Sequence, residues 1–545
     1  MTSRGESRVS AARAVIHLLA ATLAISSSAV ASNWQSTVIG GADQYGYVTA
    51  AGLLGQGHLT IDQDIVRQTP WPGAHGSWTP IGYTEAARGG GAIAPVYAVG
   101  LPLLMLALQL PFGFCAGFWV VPVCAGAAVW FTYELGCRLF DREGLALAGA
   151  ALLALSPIFL TQAMSPLSDV PTTAAWTAGL LLLVTERPFA SGLAAAVAIA
   201  IRPNLVPVSL VLLAWAALRD LRMPPDHRYA SRVVRLTLGI APAIVGIAWL
   251  NARVYGSPIR SGYGDLETLY SWSYLWANIS RFSRWAAATD TPIVAFSAVF
   301  LIAPAVAPPV RVPSPRLLLG GFCGVVLLSY LFYLPFDDWR YLRFLLPMWP
   351  VVMLLAVATI DRISGRWLRP SARYAAVGLI VATLAAHHVV LARNEHVFAR
   401  RHDELRYVDV ARWIAATTDP SAVFISWQES GSIRLYADRL TLNFARLDRG
   451  WLDRAVDRLR AMGRRPYIVV EGFEREAFRQ RFSARNRLGA LDWTPLAVLQ
   501  TPYVAIYGVD RDTGPRRPLD IPSSIDGPTR RCQSPAVWPP RLRLQ

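Results

Sequence analysis

The sequence predicts a polytopic α-helical membrane protein with a small α/β domain after its last span. Three observations predict that class. The 545 residues are 53% hydrophobic and only 16% charged, with a mean hydropathy of +0.34, too little charge to cover a soluble protein of this size. Many apolar runs approach the roughly 20 residues that a helix needs to cross a bilayer. After residue 395 the pattern changes to short apolar strands alternating with amphipathic helical stretches.

The first run, 14–31, comes after Arg4, Arg8 and Arg13 and is read as an uncleaved membrane helix. Its rival is a signal peptide, because Ala29-Val30-Ala31 fits a small-residue cleavage site. Both readings export the residues that come after position 32. Next comes GGADQYGYVTAAGLLGQGH, from Gly40 to His58, with one acidic residue, Asp43, and a short helical pattern that stops at Gly55 and Gly57. The polar stretch 59–92 carries Trp71 and Trp78, which suits a segment lying on the membrane interface. The run 94–112 is cut by Pro95, Pro102 and Pro111 and is read as interfacial rather than spanning.

Further spans are expected at 116–135, 145–161, 172–184, 190–201, 206–218, 236–250, 292–306, 317–334, 345–360 and 375–391, giving about eleven with the first. An odd number places the N-terminus inside, in the cytoplasm of a cell (inner) membrane protein, and the C-terminal domain outside. The arginine clusters assigned to the inside are Arg138 and Arg142, Arg187, the group Arg219, Arg222, Arg228, Arg232 and Arg235, then Arg311 and Arg316, and Arg362, Arg366, Arg369 and Arg373. A strict count does not put every cluster there, so some short spans must pair as re-entrant hairpins. The net charge of +16 is therefore topological, and no nucleic-acid partner is expected. The sequence has no Lys, which excludes Schiff-base chemistry. Cys115, Cys124, Cys137 and Cys323 lie in or beside apolar runs and Cys532 stands alone, with no disulfide framework or metal spacing.

Residues 1–394 thus form the membrane domain, with a large first exported loop at 33–115. Residues 395–513 form the exported α/β domain, with strands at 422–427, 467–470, 496–499 and 504–507 and helices at 407–416, 451–462 and 474–482. The Pro- and Arg-rich tail, 514–545, reads as disordered.

Five places carry candidate chemistry, each with a structural alternative. Asp43 is a carboxylate at a membrane face or a helix cap. Asp169, in MSPLSDVP from Met164, is a second acidic group or a cap. Arg202 lies between two apolar runs, where a charge is costly and functional by default, unless it snorkels. GSPIRSGYG from Gly256 supplies Arg260 and Tyr263 as substrate contacts or as an interfacial surface. FDDWRYLRFLLP from Phe336 groups Asp337, Asp338, Arg340 and Arg343, whose arginines grip phosphate or pair with the aspartates in a local ion-pair network.

These motifs carry a resemblance. Asp43 followed by Tyr47 resembles the first-loop motif of the GT-C superfamily of membrane glycosyltransferases, in particular the protein O-mannosyltransferase and aminoarabinose transferase group. PVYAVGLPLL from Pro95 is similar to that group's interfacial helix. CRLFDREG from Cys137, LLALSP from Leu152 and the pair Ser168-Asp169 resemble its second acidic motif. RFLLP from Arg343 resembles its Arg-Tyr-Leu-Leu-Pro. The likeness covers roughly residues 10–390. It departs at Gln44, where many relatives have Glu after the Asp. The resemblance implies transfer of a sugar from a polyprenyl-phosphate donor to a glycan, lipid or protein acceptor on the exported face. Asp43 would be the general base, Arg202 and Arg343 would hold the phosphate, and inversion would be expected. Asp169 would orient the acceptor or help to bind a divalent cation, if the reaction uses one. The other classes considered are a transporter or flippase for a lipid-linked or polar solute and a non-catalytic scaffold.

Overall fold

Each expected span is met by a helix. The computed structural model describes residues 3–140, 142–222, 231–303, 307–509, 517–524, 532, 535 and 543–544. Asp141, Arg228 and most of the expected tail at 514–545 lie outside the described residues. Among those described, six helices are long and apolar enough to cross a membrane, and eight if each of two bent pairs counts as one span. The bent pairs are Glu143–Leu155 with Pro157–Ala163 and Trp272–Thr289 with Pro292–Ile302. The remaining expected spans are shorter apolar helices: Asp169–Val184, Pro188–Ile201 and Arg316–Leu331. The helix Gly100–Phe112 has 13 residues, well short of the roughly 20 that a span requires.

The chain divides into two units. The first comprises Met1–Gln35, Trp119–Ile247 and Asp265–Phe398. Its core is largely apolar, with Trp176, Trp215, Trp349 and Tyr133 fully buried. Small residues let its helices touch backbone to backbone. A Cβ built on Gly239 would lie 2.6 Å from the Phe189 carbonyl oxygen, so the helix that ends just before Arg202 is pinned directly against the span Arg232–Tyr255. At arginine-rich loops Asp361 accepts from Arg142 at 2.8 Å and Arg373 at 2.6 Å, an ion-pair network at span ends. Between the expected spans 236–250 and 292–306 the chain is not one continuous loop: the helix Leu275–Thr289 occupies the second half of that stretch.

The second unit comprises Ser36–Phe118, Ala248–Gly264 and Ala399–Gln545. Its strands are β1 (Asp62–Gln63), β2 (Tyr83–Glu85), β3 (Ile93–Pro95), β4 (Ala422–Ile425), β5 (Leu440–Leu442), β6 (Arg465–Glu471), β7 (Ala497–Leu499), β8 (Val504–Gly508), β9 (Leu519–Asp520) and β10 (Arg543–Leu544). Six form one mixed sheet in the order β5-β4-β6-β8-β7-β9, with β4 parallel to both β5 and β6. The helices Arg406–Thr417, Leu452–Ala461 and Glu474–Phe482 alternate with the strands, as the sequence pattern predicts.

Two expectations are corrected here. Trp71 and Trp78 do not anchor an interface: both are buried in the core formed with Val423, Leu442, Phe444 and Ile468 of the sheet. Arg434 fastens the same stretch, donating to Gln63 Oε1 at 2.8 Å and to Thr441 Oγ1 at 2.7 Å, while burial lowers its pKa to about 10. Cys532 is not alone: it forms a disulfide with Cys115, 417 residues away in sequence. Pairing over such a separation leaves no spacing pattern to read. In the tail, β9 extends the sheet beside β7 and β10 pairs with β1.

Candidate active site

The residues singled out from sequence fall in both units, and each group is built within its own. In the second unit the helix Gly41–Gly55 carries Asp43 in its first turn. Its N-cap is Gly40, with no side-chain cap bond. Asp43 is therefore not the cap; it stands within the first turn, where the helix dipole favours a negative charge. It is half-buried. The Tyr97 hydroxyl donates to Asp43 Oδ1 at 2.6 Å. Burial first, and then the Asp43 charge, raise the Tyr97 pKa well above the ordinary tyrosine value. Tyr97 thus stays a proton donor, and Asp43 stays the acceptor.

Tyr97 lies just past β3 and is held by two other tyrosine rings. Its ring is 4.5 Å from that of Tyr47 and meets the ring of Tyr263 edge-on at 5.8 Å. A Cβ on Gly46 would fall on the Tyr97 ring, so this helix position must be glycine for the ring to reach Asp43. The loop that carries Tyr263 is drawn in by Tyr255, which donates to the Pro95 carbonyl at 2.6 Å. Asp43, Tyr47 and Tyr263 are brought together, with Tyr97 as the hub. Arg260 stands exposed on the same loop. Gln44 turns elsewhere and donates to Glu404 Oε1 at 3.1 Å.

In the first unit Asp169 begins the helix Asp169–Val184, and Ser168 is the N-cap position. Arg202, in the break after Pro188–Ile201, donates to Asp169 Oδ1 at 2.6 Å, Ser168 Oγ at 3.0 Å and Tyr330 Oη at 3.2 Å. Asp169 is 1% exposed, and its Oδ2 has no hydrogen-bond partner among the described residues. Arg202 is thus engaged by another of the candidate residues. Asp338 caps the Trp339–Met348 turn, accepting from the Arg340 amide at 2.7 Å, and pairs with the Arg340 guanidinium at 3.1 Å. The local ion-pair reading holds for these two. Arg343 lies over the rings of Tyr341 and Phe344, at 5.4 and 5.6 Å. No group of three or more His, Cys, Asp or Glu among the described residues is placed to hold a metal ion.

Tyr97 is the residue that sequence reasoning passed over, although it lies inside the PVYAVGLPLL stretch. A second omission is a buried polar cluster at the carboxyl ends of β4 and β6: Glu429, Glu471, Glu474, Arg406 and Tyr407. Spread between Arg406 and Glu474, these residues form no motif in the sequence.

The sequence matches no protein-family model and no curated protein. Solved structures do match. The archaeal oligosaccharyltransferase AglB from Archaeoglobus fulgidus, in complex with an inhibitory peptide and a dolichol-phosphate, aligns at a TM-score of 0.50 and 11% identity over 92% of this chain and 75% of AglB. The chain shares its fold with AglB. ArnT from Cupriavidus metallidurans bound to undecaprenyl phosphate aligns at a TM-score of 0.49 and 13% identity, over 92% of this chain and 99% of ArnT. ArnT in the apo state aligns at 0.48 and 14% identity, over 86% and 95%.

Proposed function

We propose that this chain transfers a glycosyl group from a polyprenyl-phosphate-linked sugar to an acceptor on the exported face of the membrane, with Asp43 as general base. The observation that carries this reading is the Asp43 carboxylate itself, half-exposed in a first helical turn and aligned by the Tyr97 hydroxyl. The fold shared with AglB, a transferase bound to a dolichol-phosphate, supports the donor class.

In this mechanism the acceptor hydroxyl gives its proton to Asp43 as its oxygen bonds to the anomeric carbon. The bond from that carbon to the phosphate oxygen breaks, and polyprenyl phosphate leaves with the electron pair. A single displacement inverts the anomeric centre. Arg343, stacked on aromatic rings, is the favoured phosphate contact, since a guanidinium binds phosphate with a planar fork. Arg202 shares that role only through its pair with Asp169. Arg260, Tyr47 and Tyr263 contribute to the acceptor side.

The orientation belongs to the same proposal: about eleven spans, N-terminus inside, and the unit containing Asp43 outside. The Cys115–Cys532 disulfide supports it, because disulfides persist in oxidising compartments. Purified protein given a labelled polyprenyl-phosphate sugar and a panel of glycan, lipid and peptide acceptors is expected to release polyprenyl phosphate. Solute exchange across vesicles with no such release would favour a transporter instead.

A further inference from the structure

Open α/β sheets bind their ligands in the crevice beyond the carboxyl ends of two parallel strands whose connections leave in opposite directions. Here those strands are β4, which connects to β5 on one side, and β6, which connects toward β8 on the other. Glu429 lies just after β4, and Glu471 ends β6. Arg406 reaches Glu471 Oε2 at 3.2 Å. The Tyr407 hydroxyl accepts from Arg406 Nη2 at 2.8 Å, and the guanidinium lies 4.2 Å over the Tyr407 ring.

A segment of the same chain packs against the Tyr407 ring. A Cβ built on Gly40 would fall inside the Tyr407 ring. The φ of Gly40 is −118°, a value open to any residue, so the ring and not the backbone requires glycine. Neighbouring residues are tied to the same domain. The Ile39 amide donates to Tyr436 Oη at 2.9 Å, Gln44 donates to Glu404 at 3.1 Å, and a Cβ on Gly431 would meet the Tyr45 ring at 2.6 Å. These attachments bracket Asp43 on both sides. Glu429 and Glu471 each keep an Oε1 without a partner among the described residues, and Arg406 supplies the positive charge beside them.

We infer that this crevice is a seat for the Asp43 segment, and that Tyr407, backed by Arg406 and Glu471, is a positioning residue that sets where Asp43 reaches. The inference rests on the assignment of Asp43 as base.

A reciprocal cycle in the full-length protein tests it: Gly40→Ala, Tyr407→Ala and the double variant, with polyprenyl-phosphate release, donor KM and Tm measured for each. Gly40→Ala is expected to lower kcat at least tenfold with donor KM changed less than twofold. The double variant should regain at least fivefold over Gly40→Ala, because the vacated ring space admits the methyl group. Tyr407→Phe, which keeps the ring, should stay within threefold of the parent. If Tyr407→Ala fails to fold, Tyr407→Leu takes its place in the cycle. Losses that multiply without rescue, or parental kcat in Gly40→Ala, would overturn the seat. Asp43→Asn in the same assay separates the two ideas: an inactive Asn variant beside an unrescued cycle sinks the seat alone, whereas an active one sinks the base assignment.

Discussion

The Tyr97 phenol and the Asp43 carboxylate form the contact on which the chemistry turns. A hydrogen bond to a charged group contributes about 1.5–3 kcal/mol, so Tyr97→Phe should lower turnover roughly tenfold or more, with a modest fall in Tm. Unchanged turnover would show that the phenol does not align the base. Asp43 was legible in the sequence because it is the first acidic residue after the first span. Tyr97 was not, because its partner lies 54 residues away and only the folded chain brings the two together. Arg202 shows the same limit differently. The sequence marks it as a costly charge between apolar runs, and the structure supplies the reason that it persists, a 2.6 Å pair with a buried Asp169. Removing one partner of a buried pair leaves the other charge uncompensated and costs about 3–5 kcal/mol. Arg202→Ala should therefore lower Tm markedly, and Asp169→Asn in the same chain should restore part of it. A Tm unchanged by Arg202→Ala would mean that the pair is not formed. Arg343→Ala, at a residue stacked on rings, is the cleaner test of donor binding.

Strands and helices of the second unit followed the sequence closely, since short continuous apolar runs and amphipathic helices are local signals. Strand β5 was not legible: Leu440-Thr441-Leu442 is broken by a polar residue and flanked by Arg439 and Asn443, so it forms no apolar run. The packing of Trp71 and Trp78 under the sheet was invisible for another reason: tryptophan suits both a membrane interface and a protein core, and the choice depends on a sheet more than 300 residues later in the chain. The ends of β4 and β6 also give this unit a pH dependence. Burial first, then the neighbouring Glu471 charge, hold the Glu429 carboxyl up to about 8, against an ordinary value of 4.5. Ser432, Arg406 and Glu474 also act on Glu429. A raised carboxyl pKa gives stability that is fully present below about 4.5 and is lost as pH rises through about 8. Tm should therefore fall across that window, and Glu429→Gln, which cannot ionise, should flatten the fall. Glu471 and Glu474 are shifted in the same direction, so some slope will remain. A Gln variant whose Tm falls as steeply as the parent's would remove Glu429 from the account.

At the scale of the whole molecule, hydropathy revealed the class and the helices because bilayer thickness fixes span length, whereas the disulfide left no trace in spacing. The proposed orientation makes both measurable. Thiol labelling of intact cells should reach Cys115 and Cys532 only after reduction; labelling of either without reductant would argue against an oxidised, exported second unit. The central claim is that the assembled protein uses Asp43 to activate an acceptor while a sugar leaves its polyprenyl phosphate. Asparagine at position 43 keeps the size and most of the hydrogen bonding of aspartate but cannot take the proton. The direct measurement is release of labelled polyprenyl phosphate by the purified Asp43→Asn protein, with Tm recorded beside it. Loss of a general base lowers the rate by roughly 100- to 10,000-fold, and a fall of that size at parental Tm is the predicted result. Turnover close to the parent's in a folded Asp43→Asn protein would contradict the account.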